Sequence, residues 1–501
     1  MTVSRRQLLK YSAAIGAAGM LGSSGARASA LSEYRSLDAT AMAELVRRGE
    51  ASPLELLDMA IGRTEEVNPQ VNAVVLKHYE LAREAVAAGL PDGPLKGVPF
   101  LLKDLGVALK GTVTTEGSRL FRDQVFDYDS TLVERYRSAG LVTFGKTNSP
   151  EFGSSPSTES QLFGDTHNPW NLAHSAGGSS GGAAAAVASG IIPAAHASDG
   201  GGSIRIPASA CGLFGLKPTR GRVPMGPGSY ETRGGCSAMH VVSRSVRDSA
   251  LLLDVSQGPA LGDPYAAPGR ERPYIEELAR EPGKLRIALM TAPIIPLPVD
   301  PQCVAAAEKA ARLCESLGHK VEAASPELDV DALYNAFGMV GNVLVANKVS
   351  KREQVLGRAA RTDELEKINW VNRKAGDQVS AIEYSRGRNA LHQASRRLAG
   401  FMQDYDVILS PTMALLPPKL GVLTLNQEFE SFMMAAAAAS AFTGLYNMTG
   451  QPAMSVPLHW SDTGLPVGVQ FTGRFGDEAT LFRLAAQLEQ ASPWFDRTPA
   501  I

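Results

Sequence analysis

The sequence predicts an α/β fold: a single large domain with a central mixed, twisted β-sheet covered by helices on both faces. Three observations predict it. Continuous apolar runs, among them GVPFLL at 97–102 and KLRIALM at 284–290, have the length and composition of strands buried on both faces. The passage from Lys284 to Ala324 reads as strand, amphipathic helix and strand, a βαβ unit. No internal repeat and no low-complexity linker divides the chain, which favours one domain over two.

With 501 residues, 44 % of them hydrophobic and 20 % charged, the chain can bury a large core. Lys and Arg total 49 against 51 Asp and Glu. With no polybasic run, the charge gives no footing for nucleic acid or an anionic membrane surface as partner. The eight histidines are scattered without an HExxH, and the four cysteines show no CxxC, so no metal or other cofactor is implied. Cys211 and Cys314 lie in apolar surroundings and read as buried free thiols.

The first thirty residues are of another kind. Arg5, Arg6 and Lys10 precede an apolar, Ala- and Gly-rich stretch that ends at Leu21, and Ala28-Ser29-Ala30 follows. This is the pattern of a cleaved export signal, and its paired arginines are of the twin-arginine type. Residues 1–30 are therefore expected to be removed, which places the mature protein in the periplasm or outside a bacterial cell. The stretch is too short and glycine-rich for a good spanning anchor, so no stable membrane insertion is expected after cleavage. Loss of its four basic residues leaves 45 basic against 51 acidic side chains.

Residues 36–90 read as three covering helices: LDATAMAELVRRGE, a second that starts at Pro53 behind a Ser52 cap and runs through Val67, and a third from about Leu76 to Ala88. Val98–Leu102 is a strand that ends in Lys103 and Asp104. Lysine is rarely buried without a purpose, yet an exposed Lys103–Asp104 pair in a loop fits this window equally well. TLVERYRSAG and LVTFGKTN read as helix and strand. The latter meets the expression GxxxxGK[ST] from Gly140 to Thr147, but its intervening LVTF is itself the apolar strand, which argues against a phosphate loop.

From His174 to Arg222 the sequence places two serines in glycine nests: Ser179 in GGSSGG and Ser203 in GGGSIR. Glycine lets backbone N–H groups approach a ligand closely, and a developing oxyanion needs such donors. After a Gly-rich loop at 225–240 comes a capped helix, SRSVRDSALLLDVSQG. Residues 326–400 are polar and mostly helical, and could cover the site. YDVILSPTM reads as a strand, the Ala-rich run from Ser431 to Tyr446 as a buried helix, AMSVPL and VGVQFTG as a strand pair, and DEATLFRLAAQLEQAS as the last helix.

The strand-Lys-Asp element, GGSSGG and the block GGSIRIPASACGLFGLKPT, in this order and spacing, resemble the amidase signature family. The resemblance covers most of residues 31–501, including RSVRD near Asp248 and GQPAMSVPL with GLPVGVQ. Within the family, GVPFLLKDL, HNPWNL, KPTRGR, RPYIEELAREPGKLRIALMT and DPQCVAAA are most similar to the branch of 6-aminohexanoate-cyclic-dimer hydrolases. The resemblance implies an amide hydrolase with a Ser-cisSer-Lys triad, in which Ser203 is the nucleophile, Ser179 the bridging serine and Lys103 the base. The chemistry agrees: a serine hydroxyl needs a base, no histidine stands in a suitable motif, and burial lowers the pKa of a lysine so that it can be neutral at working pH.

The oxyanion hole is expected from the N–H groups of Gly200, Gly201, Gly202 and Ser203, with a cis peptide at Gly202 before the nucleophile. Asp199 and Arg205 are read as a clamp on this turn, Ser180 as a backbone partner, and Thr219 and Arg220 as structural turn residues. Tyr230, Phe337 and Gly341 are candidate substrate contacts, and the small, apolar surroundings of Gly341 favour a large or apolar acyl or amine group. The implied partner is a small-molecule amide, and a homodimer is left open. An amidotransferase-type subunit and a non-catalytic binding protein on the same fold are the competing readings; the export signal speaks against the first and the complete triad against the second.

Overall fold

The computed structural model describes residues 33–501, whose strands form a three-stranded and an eight-stranded sheet beside two small two-stranded ones. The export signal expected at 1–30 lies outside the described residues. A three-stranded sheet contains β1 (Val74–Lys77), β2 (Pro99–Lys103) and β3 (Val142–Thr147) in the order β1-β3-β2. An eight-stranded mixed sheet is built from β4 (Ala194–Asp199), β5 (Phe214–Lys217), β6 (Ala238–Ser243), β7 (Arg286–Leu289), β8 (Lys320–Ala323), β9 (Val407–Pro411), β10 (Ala453–Trp460) and β11 (Pro466–Gly473). Its order is β8-β7-β9-β11-β10-β5-β6-β4.

The β7–β8 pair is parallel, as the βαβ reading requires, and β7 also pairs parallel with β9; the remaining pairs are antiparallel. Every residue of β5, β6, β9 and β11 is buried, so these strands are covered on both faces. The eight-stranded sheet is the expected central mixed sheet, and the three-stranded sheet is an addition to it. They adjoin where β2 lies against β4, and there the Lys103 N–H donates to His196 Nδ1 at 3.2 Å, a side chain standing where a ladder carbonyl would.

The N-terminal helices follow their signals with one change. Ser52 and Glu55 form a capping box ahead of Pro53, and that helix, Pro53–Val71, runs past Val67 to end on Asn72 in a left-handed conformation. The start expected for the third helix belongs instead to β1, because the β-branched pair Val74-Val75 finds an antiparallel partner in β3; the helix is Tyr79–Ala88. Gly145, Lys146 and Thr147 lie inside β3, and Lys146 Nζ donates to Val113 O and to Thr114 Oγ1 at 2.6 Å. No loop exists there to cradle a phosphate.

The Ala-rich run departs from expectation. It is two helices, Phe429–Ser440 and Gly444–Thr449, and only the second is buried throughout. In the first only Phe432 and Ala439 are buried, and Met434 is 69 % exposed. The segment expected as a cover consists of three helices, Val330–Leu356, Lys367–Asp377 and Ala381–Phe401, and Leu333, Ala336 and Val340 of the first and Leu391 and Leu398 of the third share a core with Ile408, Phe442 and Tyr446. All four cysteines are buried free thiols. Among the described residues, no helix is long and apolar enough to cross a membrane.

The turn KPTRGR is fastened to the last helix, Glu478–Ala491. Arg222 pairs with Glu478 at 2.8 Å, both side chains almost wholly buried, and Glu478 also accepts the Thr219 N–H at 2.8 Å. Removing one partner of such a pair leaves an uncompensated buried charge, which costs about 3–5 kcal/mol. Arg222→Met is expected to lower unfolding stability by that amount in urea titrations, and a loss below about 1 kcal/mol would contradict the assignment.

Candidate active site

β2, PFLLK, is buried at all five positions, so its last residue enters the interior with no exposed path for its side chain. Lys103 is 0 % exposed, and its Nζ lies 2.7 Å from Ser179 Oγ, 2.9 Å from Ser180 Oγ and 3.1 Å from Ser198 Oγ. Burial pushes the amine down to about 7, against the opposing pull of the Asp199 and Glu116 carboxylates. The exposed-pair alternative is therefore discarded. Asp104 is buried too, and it turns away to accept the Thr115 N–H at 2.9 Å and the Thr115 hydroxyl.

GGSSGG crosses the chain at close range. A Cβ on Gly178 would stand 2.6 Å from the backbone of Ser157, so only glycine fits. The non-proline cis peptide lies at Gly178–Ser179, not at Gly202–Ser203 as expected. The two serines then differ in their hydrogen bonding. Ser180 Oγ donates to Ser198 O at 3.2 Å and accepts the Ser198 N–H at 3.3 Å, so its proton is committed to the backbone. Ser179 Oγ has Lys103 Nζ as its hydrogen-bond partner, which leaves its proton free to pass to a neutral amine.

Ser203 follows β4 by four residues and is half-buried. The turn before it is held by Asp199, whose carboxylate accepts the Gly202 N–H at 2.7 Å and the Ile204 N–H at 3.1 Å. Gly202 has φ of +135°, and a Cβ there would meet Thr443 Oγ1 at 2.3 Å. This backbone freedom, rather than a cis bond, is what glycine supplies at this position. Asp199 is gripped in turn by Arg205 at 2.9 and 3.0 Å, both side chains fully buried, and by Asn447 Nδ2 at 2.8 Å. Burial alone would raise the Asp199 carboxyl, but Arg205, Lys217 and Asn447 outweigh it and hold the group far below the usual carboxylate range. With the Gly202 N–H committed to Asp199, the donors left for an oxyanion are the N–H groups of Gly200, Gly201 and Ser203.

The cover meets this turn through Phe337, whose Cζ would stand 3.5 Å from a Cβ built on Gly201. The apolar space expected beside Gly341 is filled by a charge. Arg233, from the loop after Arg222, stacks its guanidinium 3.8 Å from the centroid of Phe337, and a Cβ on Gly341 would lie 3.3 Å from its Nη2. The sequence conceals this contact because 108 residues separate Arg233 from Gly341. Tyr230 is 57 % exposed.

Ser198 and His196 were reachable from the sequence, since alternation along AAHASD puts both on one face of β4. Thr443 and Asn447 were not. They come from a helix some 240 residues downstream, and Thr443 Oγ1 donates to Gly201 O at 2.7 Å.

Residues 55–482 match the Amidase family. The chain belongs to the amidase signature family. This amidase signature protein is an amide hydrolase, and residues 2–22 match the twin-arginine translocation pathway signal sequence. It is 39 % identical over 477 residues to 6-aminohexanoate-cyclic-dimer hydrolase of Paenarthrobacter ureafaciens, covering 93 % of this chain and 96 % of the relative. A solved structure of 6-aminohexanoate cyclic dimer hydrolase aligns with a TM-score of 0.89 at 39 % identity, over 93 % of this chain and 99 % of the other. A bacterial aryl acylamidase of the amidase signature family aligns with a TM-score of 0.84 at 30 % identity, over 91 % and 96 % of the two chains.

The buried amine of the amidase makes its stability depend on pH. Folded, Lys103 stays neutral down to about pH 7, whereas the ordinary value for an exposed lysine is 10.5. Between these values the unfolded chain binds the extra proton, so this residue's penalty is full near pH 7 and vanishes as pH rises towards 10.5. Lys103→Met removes the penalty. Its gain in unfolding free energy over the parent is expected to be greatest near pH 7 and to shrink towards pH 10 in urea titrations, and parallel pH profiles would contradict the buried neutral amine.

Proposed function

We propose that the amidase is exported by the twin-arginine route to the periplasm or the cell exterior, and that it hydrolyses a small carboxylic amide through an acyl-enzyme on Ser203. The contact between the buried Lys103 amine and Ser179 Oγ at 2.7 Å carries the reading. A neutral amine beside a hydroxyl whose proton is uncommitted is a base with a relay attached.

Ser203 Oγ attacks the amide carbon, its proton passes to Ser179 Oγ, and the proton of Ser179 passes to Lys103 Nζ. The oxyanion is received by the N–H groups of Gly200, Gly201 and Ser203, each such donor being worth ~2.7–4 kcal/mol in the transition state. As the C–N bond breaks, the relay runs backwards and protonates the leaving amine. Water then attacks the ester along the same relay, and the free acid leaves. The step from Ser203 to Ser179 is a contact that closes with the acyl group in place, as catalytic hydrogen bonds commonly tighten in the substrate complex. The clamp of Asp199, Arg205 and Asn447 holds the donors in position.

Similarity to the cyclic-dimer hydrolase and the aryl acylamidase makes 6-aminohexanoate cyclic dimer, and related linear, cyclic and aryl amides, the substrates to assay. Ser203→Ala and Lys103→Ala are each expected to cut kcat by about 10⁴-fold or more with the circular dichroism of the fold unchanged. In the parent, kcat/KM is expected to rise with pH through a midpoint near 7, since only the neutral amine accepts a proton. Retained turnover in Ser203→Ala, or a rate that falls as pH rises through 7, would overturn the mechanism.

A further inference from the structure

The arginines around the turn differ in how well they are satisfied. Arg205 is paired with Asp199, and Arg388 is paired through Nη2 with Glu231 at 2.9 Å, although among the described residues its Nε too has no partner. Arg220 donates to the carbonyls of Gly235, Asn447 and Met448. Among the described residues Arg233 has one hydrogen bond, from Nη1 to Gly200 O at 3.3 Å, and its buried Nε has no partner. A guanidinium offers five N–H donors, and a desolvated one is costly to leave unpaired.

Three features hold it there nonetheless. Its backbone is left-handed, with φ of +50°, a conformation that non-glycine residues adopt only when the surroundings enforce it. Phe337 supports one face of the guanidinium at 3.8 Å. Gly341 clears the space beside Nη2 and Nε, since a Cβ there would stand 3.3 and 3.4 Å from them. The guanidinium therefore rests against the backbone of Gly200 and Gly201, on the run that carries the free oxyanion donors. A planar fork with spare donors matches a carboxylate, which can take two parallel N–H bonds.

We infer that Arg233, backed by Phe337 and Gly341, selects amide substrates that carry a carboxylate and binds that carboxylate beside the reacting amide. The inference rests on the hydrolase reading above and adds the charge of the substrate to it. Arg233 is on this account a specificity residue, separate from the relay.

The test compares two matched substrate pairs: adipamate with adipamide, which carries the carboxylate on the acyl half, and 6-acetamidohexanoate with N-hexylacetamide, which carries it on the amine half. The parent is expected to favour the anionic member of at least one pair, and the pair favoured tells which half of the amide lies against Arg233. Arg233→Met is expected to lower kcat/KM on that anion by about 10- to 100-fold more than on the neutral member, the worth of a hydrogen-bonded charge. Arg233→Lys should recover part of the loss. Gly341→Ala, which crowds the guanidinium, should lose activity on the anion selectively. Calorimetric titration with glutarate, which has no scissile bond, is expected to show binding to the parent that Arg233→Met abolishes, whether or not Ser203 turns over. Glutarate binding without turnover of any amide would sink the hydrolase mechanism and leave the recognition intact. Equal losses on charged and neutral members, or glutarate binding unchanged in Arg233→Met, would overturn it.

Discussion

Taking an ammonium group out of water is costly, and a protein that buries one must either pair it or let it lose its proton. At Lys103 no carboxylate touches the amine. It is surrounded by the hydroxyls of Ser179, Ser180 and Ser198, with Asp199 and Glu116 acting only at a distance. The group is thereby brought to about 7, where it can exist neutral with its lone pair towards a hydroxyl. Much of the surrounding structure supports that placement. β2 delivers the lysine buried along its whole length, His196 accepts its backbone N–H, and the glycines of GGSSGG let the serines come within reach.

The second constraint is the turn from Asp199 to Arg205. It draws partners from distant parts of the chain: Thr443 and Asn447 from one helix and Gln470 from β11, all meeting Arg205, Asp199 or Gly201. The arrangement trades stability for shape. Gly202 adopts a backbone conformation that other residues reach with strain, and Asp199 uses its carboxylate on two N–H groups within its own turn. A turn anchored from so many sides does not need to reorganise when charge develops on a bound oxygen, which is the condition for electrostatic stabilisation.

How much of this was legible in the sequence depends on whether the cause was local. The Ser52 cap and the βαβ unit after Lys284 are local patterns, and the structure places both where the pattern puts them; Lys103 at the end of an apolar run fits a buried and an exposed reading alike, and its burial is seen only in the structure. Three features escaped, of which only the second depends on a contact between distant segments. The Gly202 N–H was read as an oxyanion donor, but the Asp199 carboxylate three residues earlier takes it. Gly341 was read as a small residue opening apolar space, but a guanidinium from another loop occupies it. The Ala-rich run was read as one buried helix, because alanine carries no pattern that separates a buried face from a half-exposed one; it is a half-exposed helix followed by a buried one.

The proposed nucleophilicity of Ser203 comes from Lys103 acting through Ser179. A serine-directed sulfonyl fluoride tests it most directly, with the adduct mapped by peptide mass spectrometry and the labelling rate followed across pH. A single adduct on Ser203 is expected, formed at a rate that rises with pH through about 7 and is lost in Lys103→Met. Labelling of Ser179 in place of Ser203, or undiminished labelling of Ser203 in Lys103→Met, would contradict it.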